Sequence, residues 1–280
     1  EEGRGVPGPE GIPCINLDLT HLGADRINER LPMIREVAIK LNFIDPIKEP
    51  IPVRPAAHYF MGGIHTDIDG ATPVPGIWAA GEAACVSLHG ANRLGSNSTG
   101  ECLVWGKITG SMAAEFAARH PVFPDLPSDD VLLEEEKSLF QRFNSRGGES
   151  PFALRKDLQK TMDNYVGVFR TGSDLKKALM HIRELKEIVP HFKVNDTGRI
   201  YNTDLMNALE ADNLLHLSEV IVSGALARCE SRGGHARRDF PVRDDVNWLK
   251  HTLAFYTPQG PKIDYLPVTI NMWQPVERKY

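Results

Sequence analysis

The chain has 280 residues, 41% apolar and 25% charged, with a formal net charge of −5, a balance that excludes disordered, collagen-like and fibrous chains. Negative net charge gives no electrostatic footing for nucleic acid, and no apolar run reaches the ~18 residues needed to cross a bilayer. Cys14, Cys85, Cys102 and Cys229 are scattered without a C-x-x-C pair, so no metal or cluster is expected on this chain alone, and the thiols fit a reducing compartment.

Residues 1–13 are rich in glycine and proline, and Gly3-Arg4-Gly5-Val6-Pro7-Gly8 satisfies the letters of a dinucleotide fingerprint. Context rejects it, because that motif needs a strand before it and a helix opening within it, whereas Pro7 and Pro9 favour extended or turn backbone. The N-terminus does not read as a signal peptide. A short strand is expected at 15–19. A helix follows over 25–41 with Ile27, Leu31, Ile34, Val37, Ala38 and Leu41 on one face, which Pro32 must kink or restart. Four prolines make 45–55 an extended connector between domains.

Residues 56–85 alternate short apolar runs with the turn signals Gly62-Gly63, Asp69-Gly70 and Pro75-Gly76. They predict β structure ending in a buried strand at 77–80, which delivers Gly81-Glu82 to a sheet edge where ligands gather. The stretch 87–106 then runs from a small-residue loop into an apolar helix. Gly90, Gly95 and Gly100 let backbone approach a flat or charged ligand. Ser98 is the expected N-cap, with Cys102, Leu103, Trp105, Ile108 and Met112 as apolar positions. Such a helix start favours an anion or an electron-rich carbonyl, and Arg93 adds a full charge just upstream.

Three prolines break the chain at 121–128, and the composition then turns helical. Leu154, Leu158, Met162, Tyr165, Val166 and Phe169 form one stripe; Leu175, Leu179, Ile182, Leu185 and Val189 form a second; a third helix is expected over 204–228. These stripes predict the core of a bundle, with Glu134-Glu135-Glu136 on a solvated face. Residues 230–280 combine a mixed-charge cluster (Arg232, His235, Arg237, Arg238, Asp239, Arg243, Asp244, Asp245) with a β-rich tail around 263–272. An ion-pair network is the favoured reading of that cluster, a docking surface the competing one.

Arg93 is the strongest chemical candidate, since a guanidinium grips a carboxylate through two parallel hydrogen bonds and stabilises developing negative charge. Its bland alternative is an arginine that ties down a loop. Glu82 follows an expected buried strand, where an isolated carboxylate needs a hydroxyl or cation partner. Tyr59, His65 and His89 are lesser candidates that would orient a site rather than react. Two glycosylation sequons, at 97–99 and 195–197, are chance matches in a reducing compartment.

His-Gly-Ala-Asn-Arg-Leu-Gly-Ser-Asn-Ser (89–98), with Gly81-Glu82, His-Tyr-Phe-Met-Gly-Gly-Ile (58–64), Asp-Pro-Ile-Lys-Glu-Pro-Ile-Pro-Val (45–53) and Glu-Ser-Arg-Gly-Gly-His-Ala-Arg-Arg-Asp-Phe-Pro (230–241), closely resembles the flavoprotein subunit of succinate dehydrogenase and fumarate reductase. The resemblance covers nearly the whole chain and places it in the C-terminal part of a longer polypeptide. It implies part of an α/β FAD-binding domain, an α-helical bundle and a small terminal α+β domain. The implied boundaries are 1–53 for the end of a capping domain, 54–128 for the FAD-binding portion, 129–229 for the helical domain and 230–280 for the terminal domain. FAD is the implied cofactor, succinate and fumarate the substrates, an iron–sulfur subunit the direct partner, and membrane-anchor subunits indirect partners. The implied location is peripheral, on the cytoplasmic face of a membrane or the matrix side in a mitochondrion. By the same resemblance His58 and Arg93 bind substrate, and Glu82, Ser98 and Thr99 hold the flavin. The proton-transfer arginine is expected upstream of this segment, which should be inactive by itself. An L-aspartate oxidase-like flavoenzyme and a non-catalytic docking module for an iron–sulfur subunit are the alternatives.

Overall fold

The computed structural model describes residues 3–8, 11–122, 128–141 and 148–276, and the chain divides into two compact units, Glu1–His58 and Tyr59–Tyr280. In the first, β1 (Val6–Pro7), β2 (Pro13–Leu17) and β3 (Ile51–Val53) form an antiparallel sheet in that order, with Val6 opposite Cys14 and Ile15 opposite Val53. The fingerprint look-alike is therefore one limb of a hairpin. Part of the expected 45–55 connector is a sheet strand instead; β3 lies at the sheet edge, where Pro52 is tolerated. The expected single helix is two, α1 (Ala24–Arg30) and α2 (Pro32–Asn42), with Pro32 at the first position of the second. Because the break at Leu31 interrupts the register, Ile27 and Ala38 are buried while Ile34, Val37 and Leu41 are exposed. Arg35 then grips Asp45 through two bonds of 2.9 Å, which hold that carboxyl down at about 2.

In the second unit β4 (Ile64–His65) pairs in parallel with β5 (Ala84–Cys85). The strand expected at 77–80 is not formed. Residues 70–79 close on themselves instead, with the Thr72 N–H donating to the Ile77 carbonyl (3.0 Å) and the Ala79 N–H to the Gly70 carbonyl (2.9 Å). Gly81–Ala83 is a 3₁₀ turn that leads into β5. After α3 (Asn97–Arg119), most of the expected break at 121–128 lies outside the described residues. In α4 (Asp129–Gln141), Glu134, Glu135 and Glu136 are exposed, as a solvated face requires.

Three helices carry the core: α5 (Pro151–Val166), α6 (Gly172–Ile188) and α7 (Thr203–Ala227). Leu154, Leu158 and Val166 meet Leu175, Ile182 and Leu185, and Ala208, Ala211, Leu215 and Val222 close the cluster. These are the expected stripes. Phe169 leaves its stripe and is exposed, because the helix ends at Val166 and Phe169 enters β6 (Phe169–Arg170).

β6 pairs in parallel with β7 (Ala236–Arg237). The buried Arg237 donates from Nη1 to the carbonyls of Ala225 (2.9 Å) and Leu226 (3.2 Å), so it satisfies the end of α7. Its other nitrogens grip Asp239 at 2.7 and 2.8 Å, and Asp239 accepts the Gly172 N–H at the start of α6 (2.8 Å). Glu230, fully buried, accepts from Arg228 (2.6 Å), Arg232 (2.9 Å) and the Asp244 N–H (2.9 Å). Burial pushes its carboxyl up, and these donors outweigh burial and bring it below the usual range. The mixed-charge cluster is thus an ion-pair network. A short α8 (Asp245–Trp248) precedes the antiparallel pair β8 (Lys250–Phe255) and β9 (Lys262–Pro267), so the β-rich tail begins earlier than its apolar residues suggest. Among the described residues no helix is long and apolar enough to cross a membrane.

Candidate active site

The loop between β5 and α3 is fastened from two distant parts of the chain. Ser87 Oγ lies 3.2 Å from Nε2 of His251 on β8. Ala91 offers its carbonyl to the Gly234 N–H at 2.9 Å, at the tip of a turn in which Arg232 and His235 exchange backbone bonds of 2.8 and 3.0 Å. Gly233 at that tip has φ +56°, and a Cβ there would stand 2.3 Å from the Ala91 oxygen, so only glycine fits. His235 accepts from Arg170 Nη1 at Nδ1 (2.9 Å) and donates from Nε2 to the Arg228 carbonyl (3.2 Å), which fixes it as the neutral Nε2–H tautomer. Burial and the surrounding Arg170, Arg237 and Arg228 push its pKa down to about 4.

Past Ala91, Arg93 rests over the Tyr59 ring, 4.4 Å from its centroid. Its Nη1 donates to the Leu94 carbonyl (3.1 Å), while its Nε is buried without a partner. The Tyr59 hydroxyl donates to Glu101 Oε2 at 2.6 Å. His89 Nε2 reaches the same oxygen at 2.6 Å and meets the Tyr59 ring edge-on. Burial, reinforced by the Glu101 carboxylate, pushes the Tyr59 hydroxyl well above the ordinary phenol range, so it remains a donor.

Glu101 is the residue that sequence reasoning missed. The expected apolar positions Cys102 and Leu103 are exposed, Leu103 by 71%, whereas Glu101 at 2% and Thr109 are buried, with Trp105 between them on the same face. That i, i+4, i+8 line of Glu101, Trp105 and Thr109 was the available signal, hidden because two of its members are polar.

Ser98 is not the N-cap of α3; Ser96 is, in the left-handed region at φ 65°, and no side chain caps that end. Ser98 and Thr99 therefore sit inside the first turn, whose N–H groups have no intrahelical acceptor. Glu82 is exposed rather than buried, on the 3₁₀ turn, and its Oε1 accepts the Phe60 N–H at 2.9 Å. The backbone there is in close contact: a Cβ on Gly63 would fall 2.4 Å from the Ala83 carbonyl oxygen, and its φ of +120° also demands glycine. The structure thus gathers Tyr59, His89, Arg93 and the first turn of α3 around Glu101. His58 is the last residue of the first unit and is exposed there, and His65 lies exposed on β4.

Comparison with known proteins gives this loop its context. Residues 2–99 match a model described as an FAD-binding domain, and residues 155–280 match one described as the C-terminal part of the fumarate reductase flavoprotein. The chain resembles part of the fumarate reductase and succinate dehydrogenase flavoprotein family. It is 47% identical to the fumarate reductase flavoprotein subunit of Mycobacterium tuberculosis, over 100% of this chain and 49% of that protein. Identity to the succinate dehydrogenase flavoprotein subunit of Rickettsia felis is 42%, over 96% of this chain and 46% of that protein. A solved structure of E. coli quinol fumarate reductase superposes with a TM-score of 0.92 at 39% identity, covering 99% of this chain and 48% of that one. The chain spans about half the length of the curated relatives it matches.

FAD is the cofactor of this family, and the geometry here suits it. No side chain caps the start of α3, Gly95 and Gly100 have nothing within 4 Å of where a side chain would begin, and the Arg93 Nε is an unpartnered donor. A flat, electron-rich ring edge could lie against that turn and accept its N–H groups.

Proposed function

We propose that the polypeptide bearing this chain interconverts succinate and fumarate as the flavoprotein subunit of a quinone-linked enzyme. The observation that carries the reading is Arg93: a guanidinium held over an aromatic ring on a loop of small residues, one buried donor unpaired, just upstream of a helix start that no side chain caps. FAD supplies two-electron chemistry when bound.

The residues of this chain divide the remaining work. Arg93 binds a substrate carboxylate and stabilises negative charge as it develops, and His58 is a carboxylate ligand on the same reading. Ser98 and Thr99 would hold the flavin through N–H groups of the first turn of α3, and Glu82, on its exposed turn, would accept hydrogen bonds from cofactor hydroxyls. The proton-transfer arginine belongs to the portion of the family's length that this chain does not span. An iron–sulfur subunit takes electrons onward, and membrane-anchor subunits hold the assembly at the cytoplasmic or matrix face. Domain limits near 53, 128 and 229 suit this division.

The test is succinate-dependent dye reduction by the native holoenzyme, with its visible flavin spectrum recorded alongside. Arg93→Ala is expected to retain flavin and to lose at least ~100-fold in kcat/KM. A colourless native protein, or full activity in the variant, would defeat the reading and favour a docking module.

A further inference from the structure

Among the described residues of the second unit, three carboxylates are nearly excluded from water: Glu101, Glu219 and Glu230. Two are matched by full positive charges, Glu219 by Arg183 (2.9 Å) and Lys186 (2.8 Å), and Glu230 by Arg228 and Arg232. The contacts to Glu101 within this unit come instead from a phenol and an imidazole, both on one oxygen at 2.6 Å. A carboxylate in such a place costs more desolvation than a well-packed apolar side chain would. What it gives in return is orientation: one acceptor fixes the Tyr59 ring and the His89 ring edge-on at 89°, and Arg93 lies on the face of Tyr59.

We infer that Glu101 is a positioning residue for the substrate-binding arginine, acting through the Tyr59 ring. Had the carboxylate met Arg93 directly, it would have neutralised the guanidinium and occupied its donors. By acting one ring away it draws the phenol hydrogen toward itself, enriches the ring face and strengthens the cation–π contact, while the donors of Arg93 not engaged by the Leu94 carbonyl stay available to an incoming dicarboxylate. His89 makes the support two-sided, since it shares the Glu101 oxygen with the Tyr59 hydroxyl and meets the Tyr59 ring edge-on. The inference rests on the proposed role of Arg93 in substrate binding.

The experiment is a titration of the native holoenzyme with succinate, read as the change in flavin visible absorption, together with a KM and kcat measurement. Glu101→Gln keeps size and one carbonyl acceptor but removes the charge. It is expected to weaken succinate binding about tenfold, to raise KM by a similar factor and to lower kcat less than about threefold, with flavin content unchanged. Tyr59→Phe removes the hydroxyl that carries the effect and should give the same loss; the double variant should be no worse than either single one. If Glu101→Gln does not fold, Tyr59→Phe decides alone. Wild-type binding with unchanged affinity in the variants, or losses that multiply in the double variant, overturns the inference and leaves the reading of Arg93 standing. A wild-type holoenzyme that shows no succinate response overturns both.

Discussion

The three-helix core and the Arg93 loop lie in one compact unit but are held together by different physics. In α5, α6 and α7 the contacts are aliphatic side chains repeating at helical spacing, so stability is spread over many equivalent positions. Around Arg93 there is little apolar burial, and single contacts carry the geometry: one carboxylate oxygen under two rings, one glycine turn against Ala91. A region built on many weak, interchangeable contacts tolerates change in shape and loses stability, whereas one built on a few specific contacts loses shape first.

That contrast can be broken by experiment. Leu215→Ala, at a fully buried core position, should cost about 2–5 kcal/mol in unfolding free energy by denaturant titration. At temperatures where the holoenzyme stays folded, its succinate affinity should remain within about twofold of wild type; a larger loss would mean that the two regions are not separable. Gly233→Ala should do the reverse. With no room beside Ala91 and a positive φ, it should displace the Arg93 loop and weaken succinate binding at least about tenfold, while unfolding stability falls by about 1–3 kcal/mol.

A third prediction concerns pH. His235 is neutral in the folded state, with its pKa pushed down to about 4 from an ordinary 6.5 by burial and nearby arginines. Between those values the unfolded chain binds more protons than the folded one, so stability is intact above 6.5 and falls as pH drops toward 4. His235→Gln should flatten the melting temperature across that window; an equally steep decline in the variant would assign it to other groups. The smallest expected effect is at Thr171, whose hydroxyl caps α6 by accepting the Asp174 N–H at 3.2 Å. Thr171→Ala should cost about 1 kcal/mol by the same unfolding titration and leave succinate affinity unchanged.

The same contrast explains what could be read from the sequence. Helical stripes repeat, so Leu154, Leu175, Ile182 and Leu185 announced the core they form. Pro32 announced the break between α1 and α2 by its missing N–H alone. The Arg93 loop was legible as a motif, through its glycines and its single guanidinium. Its supports were not, because Tyr59, His89, Glu101 and the turn at Gly233 are brought together by tertiary contacts that no local period encodes. Ser98 was read as a cap by residue type, but the left-handed turn at Ser96 starts the helix two residues sooner. The apolar run at 77–80 suggests a buried strand ahead of Glu82, whereas the segment 70–79 closes on itself and leaves Glu82 on an exposed turn.

The two fastenings of the Arg93 loop also set a schedule for biosynthesis. Ser87 and His251 are 164 residues apart in the chain, and the turn that grips Ala91 lies beyond the three helices as well. A ribosome extends a chain by only ~5–20 residues per second, and long-range contacts form after local ones. The loop is therefore made early and shaped late: α5, α6 and α7 can pack while it is still untethered, and it acquires its binding geometry only once the residues around Gly233 and His251 have emerged. A chain truncated before Gly233 would hold the arginine without its framework.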